Sequence, residues 1–111
     1  MPFIQTRTNI DISRDKEENI KRKLGEAAVI IGKSESWLMC EFVPNCNMYF
    51  RGKNDKPIAY IDVKLYGRSN NYNEMTKEIT NITNSELGIS PDNIYVSYSE
   101  HDNWGWNGNN F

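Results

Sequence analysis

The sequence predicts an α+β fold in which two βαβ repeats form a four-stranded mixed sheet with two helices on one face. Three observations lead to it. Apolar residues recur at helical spacing in one segment and alternate at strand spacing in another, and the two halves of the 111-residue chain carry the same signals in the same order. Single cores commonly span about 100–150 residues, so one domain over residues 1–111 is expected.

The first half begins with a short strand over residues 3–8 and continues with a helix. The apolar residues of that helix fall on one face: Ile20, Leu24, Ala27, Ala28 and Ile31. Ser13 precedes the helix as a start signal and Gly32 follows it as a stop signal. Residues 37–43 are then predicted to form a second strand.

The second half repeats this order. Residues 58–66 alternate apolar and polar side chains, which is typical of a strand with one buried face. A helix is predicted over about 71–87, with Met75, Ile79 and Ile82 on one stripe and Gly88 behind it. Residues 94–99 complete the half as a short strand.

The two halves align as pseudo-repeats over about 2–50 and 57–103. Gly32, Ser34, Leu38 and Phe42 match Gly88, Ser90, Ile94 and Tyr98 at a constant offset of 56. Two right-handed crossovers would place both helices on one face of the sheet. Apolar residues on the opposite face would then require cover, and neighbouring subunits are the expected source.

Composition argues against several function classes. The formal charge is −2 and no basic stripe is present, so nucleic acid is not an expected partner. Acidic and basic residues interleave on the first helix, which indicates a solvated face and not a membrane surface. The longest apolar run, 27–31, is too short to span a bilayer, and residues 1–12 lack a signal-peptide core. We therefore expect a cytoplasmic protein, with any secretion by an unconventional route.

Cysteine and histidine usage gives no metal or redox signature. Cys40 and Cys46 are spaced C-x5-C, which fits neither a CxxC redox pair nor a zinc knuckle, and they are expected to be reduced thiols. The chain has one histidine, His101, in a polar segment that indicates a surface position. No metal site is predicted.

Four motifs in register give the chain a family resemblance. They are Met1-Pro2-Phe3-Ile4-Gln5-Thr6, Gly32-Lys33, Ile89-Ser90-Pro91-Asp92-Asn93-Ile94-Tyr95 and Gly105-Trp106-Asn107-Gly108. Together they resemble the macrophage migration inhibitory factor family over the whole chain, with an ending closest to protozoan and bacterial members. The resemblance implies a homotrimer whose sheets surround a central channel, with active sites at subunit interfaces. It also implies cofactor-free tautomerase activity on phenylpyruvate-type enols and dopachrome derivatives.

Pro2 carries the chemistry that the resemblance implies. Removal of Met1 would leave a free secondary amine, whereas a proline nitrogen inside a chain is an amide without basicity. An ordinary α-amino group has a pKa near ~8, and desolvation or a nearby cation would lower it, giving a neutral base near physiological pH. Without the family match, Met-Pro is simply a common chain start.

The resemblance also assigns a substrate-binding set. Lys33 matches the lysine that binds the substrate carboxylate, although a lysine there could also complement a helix dipole. Tyr66 matches the position whose backbone amide contacts substrate, where isoleucine is usual. Tyr95 matches the pocket tyrosine that an adjacent subunit contributes, and Ser97 stands where many members have asparagine. Trp37 and Trp104 match apolar or aromatic pocket positions, or else pack in a core or interface.

Three function classes remain open at this point. The first is an isomerase that acts on a small aromatic keto acid, without a cofactor. The second is a secreted, cytokine-like signalling protein that engages a cell-surface receptor. The third is a trimeric scaffold that has lost activity through Ser97 and Tyr66. Retention of Met1 would favour the two non-catalytic alternatives.

Overall fold

A single mixed sheet organises the chain, which the computed structural model describes over residues 1–111. Its strands are β1 (Pro2–Thr8), β2 (Met39–Val43), β3 (Ala59–Tyr66) and β4 (Ile94–His101), in the order β2-β1-β3-β4. β1 runs parallel to β2, β3 runs parallel to β4, and the central pair β1–β3 is antiparallel. This arrangement is two βαβ units joined along their first strands, so the predicted fold is confirmed.

Helix α1 (Arg14–Ala27) begins and ends where its signals indicate, with one adjustment. The Ser13 hydroxyl accepts a hydrogen bond from the Lys16 backbone N–H at 3.3 Å, which satisfies one free donor of the first turn. The predicted last turn, Ala28–Ile31, is a tighter 3₁₀ helix. Gly32 then adopts φ 72°, a left-handed conformation that glycine reaches without a Cβ penalty, and the helix stops there.

Helix α2 (Tyr72–Leu87) follows β3 and packs beside α1. Gly88 ends it at φ 68°, in the same way that Gly32 ends the first helical segment. The equivalence of these two glycines is the clearest structural sign of the internal repeat.

The core lies between the helices and one face of the sheet. Alternate residues of β1 and β3 point into it, and the stripes of α1 and α2 meet them. Its fully buried side chains include Ile4, Ile20, Leu24, Ile61, Val63, Leu65, Met75 and Ile79. At about 1.5–3 kcal/mol for each large apolar side chain, this burial is the main stabilising contribution to the fold.

The opposite face of the sheet is more polar than the sequence predicts. One row that crosses all four strands in register reads Glu41, Gln5, Asp62 and Ser97. Gln5 donates to the Glu41 carboxylate at 2.6 Å, and Lys64 pairs with Asp62 at 2.8 Å. The expectation of an apolar second face holds only in part, because hydrogen-bonded polar side chains occupy its middle while Met39, Tyr60 and Tyr95 are exposed on it.

Two further details differ from prediction. Residues Glu35–Trp37 form a 3₁₀ turn, so Trp37 precedes the second strand instead of opening it. A small hairpin, β5 (Gly105–Trp106) with β6 (Asn109–Asn110), closes the chain. Its turn residues, Asn107 and Gly108, both have positive φ, as a two-residue type I′ hairpin turn requires. Neither α1 nor α2 is long and apolar enough to cross a membrane.

Candidate functional site

Strand directions bring the two chain ends to one edge of the sheet. β1 and β2 begin at this edge, whereas β3 and β4 end there. Pro2 is buried and lies opposite Leu65, and the Tyr66 N–H donates to the Met1 carbonyl at 3.2 Å. The start of the chain is therefore fixed against the end of β3, which places Pro2 beside Tyr66.

Lys33 is directed to the same place by the end of the first helical segment. After the left-handed Gly32, the Lys33 N–H donates to the Ala28 carbonyl at 3.0 Å, which closes the helix end. The Lys33 Nζ then donates to the Tyr66 carbonyl at 3.0 Å. Lys33 also lines a cleft of about 540 Å³ between segments 29–33 and 68–71. The ammonium is thus held at the edge where the chain begins and does not simply extend into solvent.

The surroundings of the chain start disfavour a charged amine. Burial lowers the pKa of the Met1 α-amino group below its ordinary value, and the nearby Lys33 ammonium lowers it further. At this edge of the sheet, the neutral form of the Met1 α-amino group is therefore favoured over the charged form.

The loop after β3 is anchored on two sides. Gly67, at φ 75°, donates its N–H to the His101 carbonyl at 2.9 Å, and the Ser69 hydroxyl donates to the Ile31 carbonyl at 2.6 Å. The Glu100 carboxylate accepts three hydrogen bonds, from the Tyr72 hydroxyl, the Ser69 N–H and the Arg68 guanidinium. These contacts fix the backbone that presents the N–H and the carbonyl of Tyr66.

Aromatic side chains from the C-terminal segment 104–111 gather at this edge. Trp37 and Trp106 make an edge-to-face pair with ring centroids 4.9 Å apart, and the Tyr66 and Phe111 rings lie 5.5 Å apart. Trp104 packs edge-on against His101 at 5.8 Å.

Sequence reasoning missed Trp106 and Phe111 as members of this group. The turn signal Asn107-Gly108 could have found them, because a hairpin there folds both aromatic residues back toward the sheet edge.

Tyr95 and Ser97 lie elsewhere. Tyr95 is opposite Tyr60, at the other end of β3 from Tyr66, and a rise of about 3.3 Å per residue separates those ends by roughly 20 Å. Its ring contacts Phe50 at 5.1 Å and Tyr60 at 6.5 Å. A single chain therefore brings together Pro2, Lys33, Tyr66 and the tryptophans, but it does not bring Tyr95 or Ser97 to them.

The remaining His, Cys, Asp and Glu side chains are dispersed over the chain. No group of three or more His, Cys, Asp or Glu side chains is arranged to hold a metal ion. Cys40 and Cys46 are free, and burial, followed by the charge of Glu35, raises the pKa of the Cys40 thiol to about 11. Cys40 is consequently a poor nucleophile at neutral pH.

Comparisons with known proteins agree with this arrangement of chain ends, helices and sheet. The sequence profile of the macrophage migration inhibitory factor family matches residues 1–111. The chain belongs to that family. A macrophage migration inhibitory factor from Meriones unguiculatus is 30% identical over 115 residues, covering 100% of this chain and 99% of the relative.

Solved structures of the family superpose over nearly the whole chain. The crystal structure of Leishmania major MIF2 has a TM-score of 0.93 and 32% identity, and the match covers 100% of this chain and 97% of that one. A macrophage migration inhibitory factor homologue from Prochlorococcus marinus has a TM-score of 0.86 and 26% identity, with 98% of each chain covered. The resemblance to protozoan and bacterial members is thereby confirmed.

Proposed function

We propose that this family member is a cofactor-free tautomerase that interconverts the keto and enol forms of small aromatic 2-keto acids. The observation that carries the proposal is the grouping of Pro2, the Lys33 ammonium and the Tyr66 backbone at one sheet edge. Family membership supports an isomerase of the tautomerase type, and the residues at this edge supply a base, a cation and an N–H donor.

Each group has a role that its chemistry allows. With Met1 removed, the neutral Pro2 nitrogen takes a proton from the carbon next to the keto group. The electron pair of that C–H bond forms the carbon–carbon double bond, and the keto oxygen takes a proton from water and becomes the enol hydroxyl. Lys33 pairs with the substrate carboxylate and orients the acidic C–H toward Pro2. The tryptophans at this edge provide apolar surface for the aromatic ring.

Met1 blocks this chemistry in two ways in the unprocessed chain. Its peptide bond makes the Pro2 nitrogen an amide without basicity, and its carbonyl accepts the Tyr66 N–H. Removal of Met1 would therefore create the base and free a hydrogen-bond donor in one step. We expect activity only in Met1-free protein, which intact mass measurement identifies.

The proposal includes a homotrimer in which Tyr95 and Ser97 of an adjacent subunit complete the site. The support is that both residues lie toward the opposite end of β4 from Tyr66 in each chain. The side chains of Tyr60 and Tyr95 are exposed there. Sedimentation at micromolar concentration should give about three chain masses. A stable monomer with full activity would contradict the interface-built site.

The deciding experiment is a phenylpyruvate tautomerase assay on Met1-free protein. Pro2→Gly should lower kcat by up to about 10²–10⁴-fold, the usual contribution of a general base, with some rate left because glycine keeps a primary amine. Pro57→Gly is the matched control, since Pro57 holds the equivalent position in the second repeat and its nitrogen is an internal amide. If Pro2→Gly has the activity of the unmutated protein, Pro2 is not the base.

A further inference from the structure

The two walls of the cleft beside Lys33 are hydrogen-bonded to each other. The hydroxyl of Ser69, a half-buried residue, donates to the Ile31 carbonyl at 2.6 Å. The side-chain amide of Asn71 donates to the Ile30 carbonyl at 3.3 Å. Both bonds join the loop after β3 to the helical segment that ends beside Lys33, and the proposed function gives them no role.

These bonds complete the end of the first helical segment. The last carbonyls of a helix have no backbone partner within it. At this end the Lys33 N–H donates to the Ala28 carbonyl, and the Gly32 N–H donates to the Val29 carbonyl, both at 3.0 Å. The next two carbonyls, at 30–31, receive their donors from the loop. The backbone that leads into Lys33 is therefore fixed by the loop as well as by the helix.

Ser69 is itself held on its other side, so it is a fixed support. Its N–H donates to the Glu100 carboxylate at 3.2 Å, and the preceding Gly67 N–H donates to the His101 carbonyl at 2.9 Å. The Ser69 hydroxyl also lies 3.2 Å from the Asn70 carbonyl. A hydroxyl has one proton to donate, and the contact of 2.6 Å with the helical segment is the shorter of the two.

A third bond crosses the same cleft in the opposite direction. It runs from the Lys33 ammonium to the Tyr66 carbonyl, at 3.0 Å. An ammonium that turns to a bound carboxylate weakens or releases this bond, whereas the bond from Ser69 does not involve the Lys33 side chain. Ser69 therefore keeps the two walls together in both states, and a group held in place before binding loses less conformational freedom when the ligand arrives.

We propose that Ser69 is a positioning residue for Lys33. Its hydroxyl holds the end of the helical segment against the loop, so that the Lys33 ammonium stays within reach of the Tyr66 carbonyl and of a bound carboxylate. Asn71 supports the same contact through a longer bond. The inference rests on the proposed function for the carboxylate ligand, and it adds to that site a residue that does not touch the substrate.

The test measures ligand binding, so that it does not depend on turnover. Isothermal titration of Met1-free protein would compare 3-phenylpropionate, which has no keto group and cannot tautomerise, with its methyl ester. The unmutated protein should bind the acid more tightly. Ser69→Ala should weaken binding of the acid by about 3- to 10-fold, the range for one net hydrogen bond, and leave binding of the ester unchanged. Ser69→Thr keeps the hydroxyl and should keep the affinity for the acid.

Ser85→Ala is the matched control. The Ser85 hydroxyl donates to the Ile82 carbonyl at 3.3 Å within α2, and Ser85 does not line the cleft beside Lys33, so this variant should bind both ligands as the unmutated protein does. A loss in Ser69→Ala that is equal for acid and ester would reduce Ser69 to a purely structural role.

Three other results would also overturn the inference: no binding of the acid, an affinity for the acid that survives Ser69→Ala, or a Ser69→Thr variant as impaired as Ser69→Ala. Failure of the catalytic proposal is recognised separately. In that case Pro2→Gly leaves tautomerase turnover unchanged, whatever the Ser69 variants do to binding.

Discussion

Replacement of Lys33 by alanine is the perturbation that most directly links charge to chemistry at this edge. Lys33 Nζ is bonded to the Tyr66 carbonyl at 3.0 Å, and the Tyr66 N–H is bonded to the Met1 carbonyl at 3.2 Å. With standard bond lengths, these contacts place the ammonium within about 10 Å of the Pro2 nitrogen.

The electrostatic effect of Lys33 on the Pro2 amine can be bounded from that separation. At about 10 Å, two unit charges interact by roughly 0.4 kcal/mol in water and roughly 1.7 kcal/mol at an effective dielectric constant near 20. Removing a neighbouring positive charge makes the amine easier to protonate, and its pKa rises.

The assay is the pH profile of kcat/KM for Met1-free protein, whose acidic limb reports the base of the free enzyme. Lys33→Ala should move that limb to higher pH. It should also weaken the binding of phenylpyruvate more than that of its methyl ester, which lacks the carboxylate charge. Lys53→Ala serves as a control for general charge removal, since Lys53 is exposed on the 51–56 loop. An unchanged profile with equal losses on acid and ester would refute the reasoning and restrict Lys33 to a structural role at the helix end.

Three further changes test the surroundings of the site. Trp106→Ala should remove the edge-to-face pair with Trp37, which is worth about 0.5–1.5 kcal/mol, and should raise KM for aromatic substrates more than for an aliphatic 2-keto acid. Hydrogen bonds from the Tyr72 hydroxyl and the Ser69 N–H hold the pKa of Glu100 below its usual value. The contribution of Glu100 to folding stability is therefore complete above the unfolded-state pKa near ~4.3 and is lost as pH falls through the folded-state pKa. Melting temperatures between pH 2 and 6 should therefore fall less steeply for Glu100→Gln than for the unmutated protein. Met75→Ala should lower the free energy of unfolding by about 2–5 kcal/mol in a urea titration, because Met75 is fully buried between helix and sheet.

Much of the fold could be read from local signals that tertiary contacts reinforce. Gly32 and Gly88 ended their helical segments as predicted because both positions need a left-handed backbone. The alternation in 58–66 gave β3 correctly because one face of that strand is buried. The polar row in the middle of the open face was not predicted. Alternation along one strand shows which residues share a face of the sheet. It does not show which residues of the neighbouring strands lie beside them, because those strands are distant in sequence.

The candidate site was predictable only in part for a similar reason. Pro2, Lys33 and Tyr66 were found through motifs, and their grouping depends on strand directions that the repeat made predictable. The pairing of Trp37 with Trp106 has no periodic signature, since it joins a 3₁₀ turn to a hairpin about 70 residues later.

The meeting of the two chain ends at Tyr66 has a practical consequence for protein engineering. Met1 and Phe111 both contact this residue, so a short linker could join them, and circular permutation should preserve the fold. Joining the ends, however, would keep the Pro2 nitrogen permanently in a peptide bond, so it could not act as a base. A permuted chain would be a folded protein that lacks the proposed base, and an N-terminal affinity tag that is not removed would have the same effect.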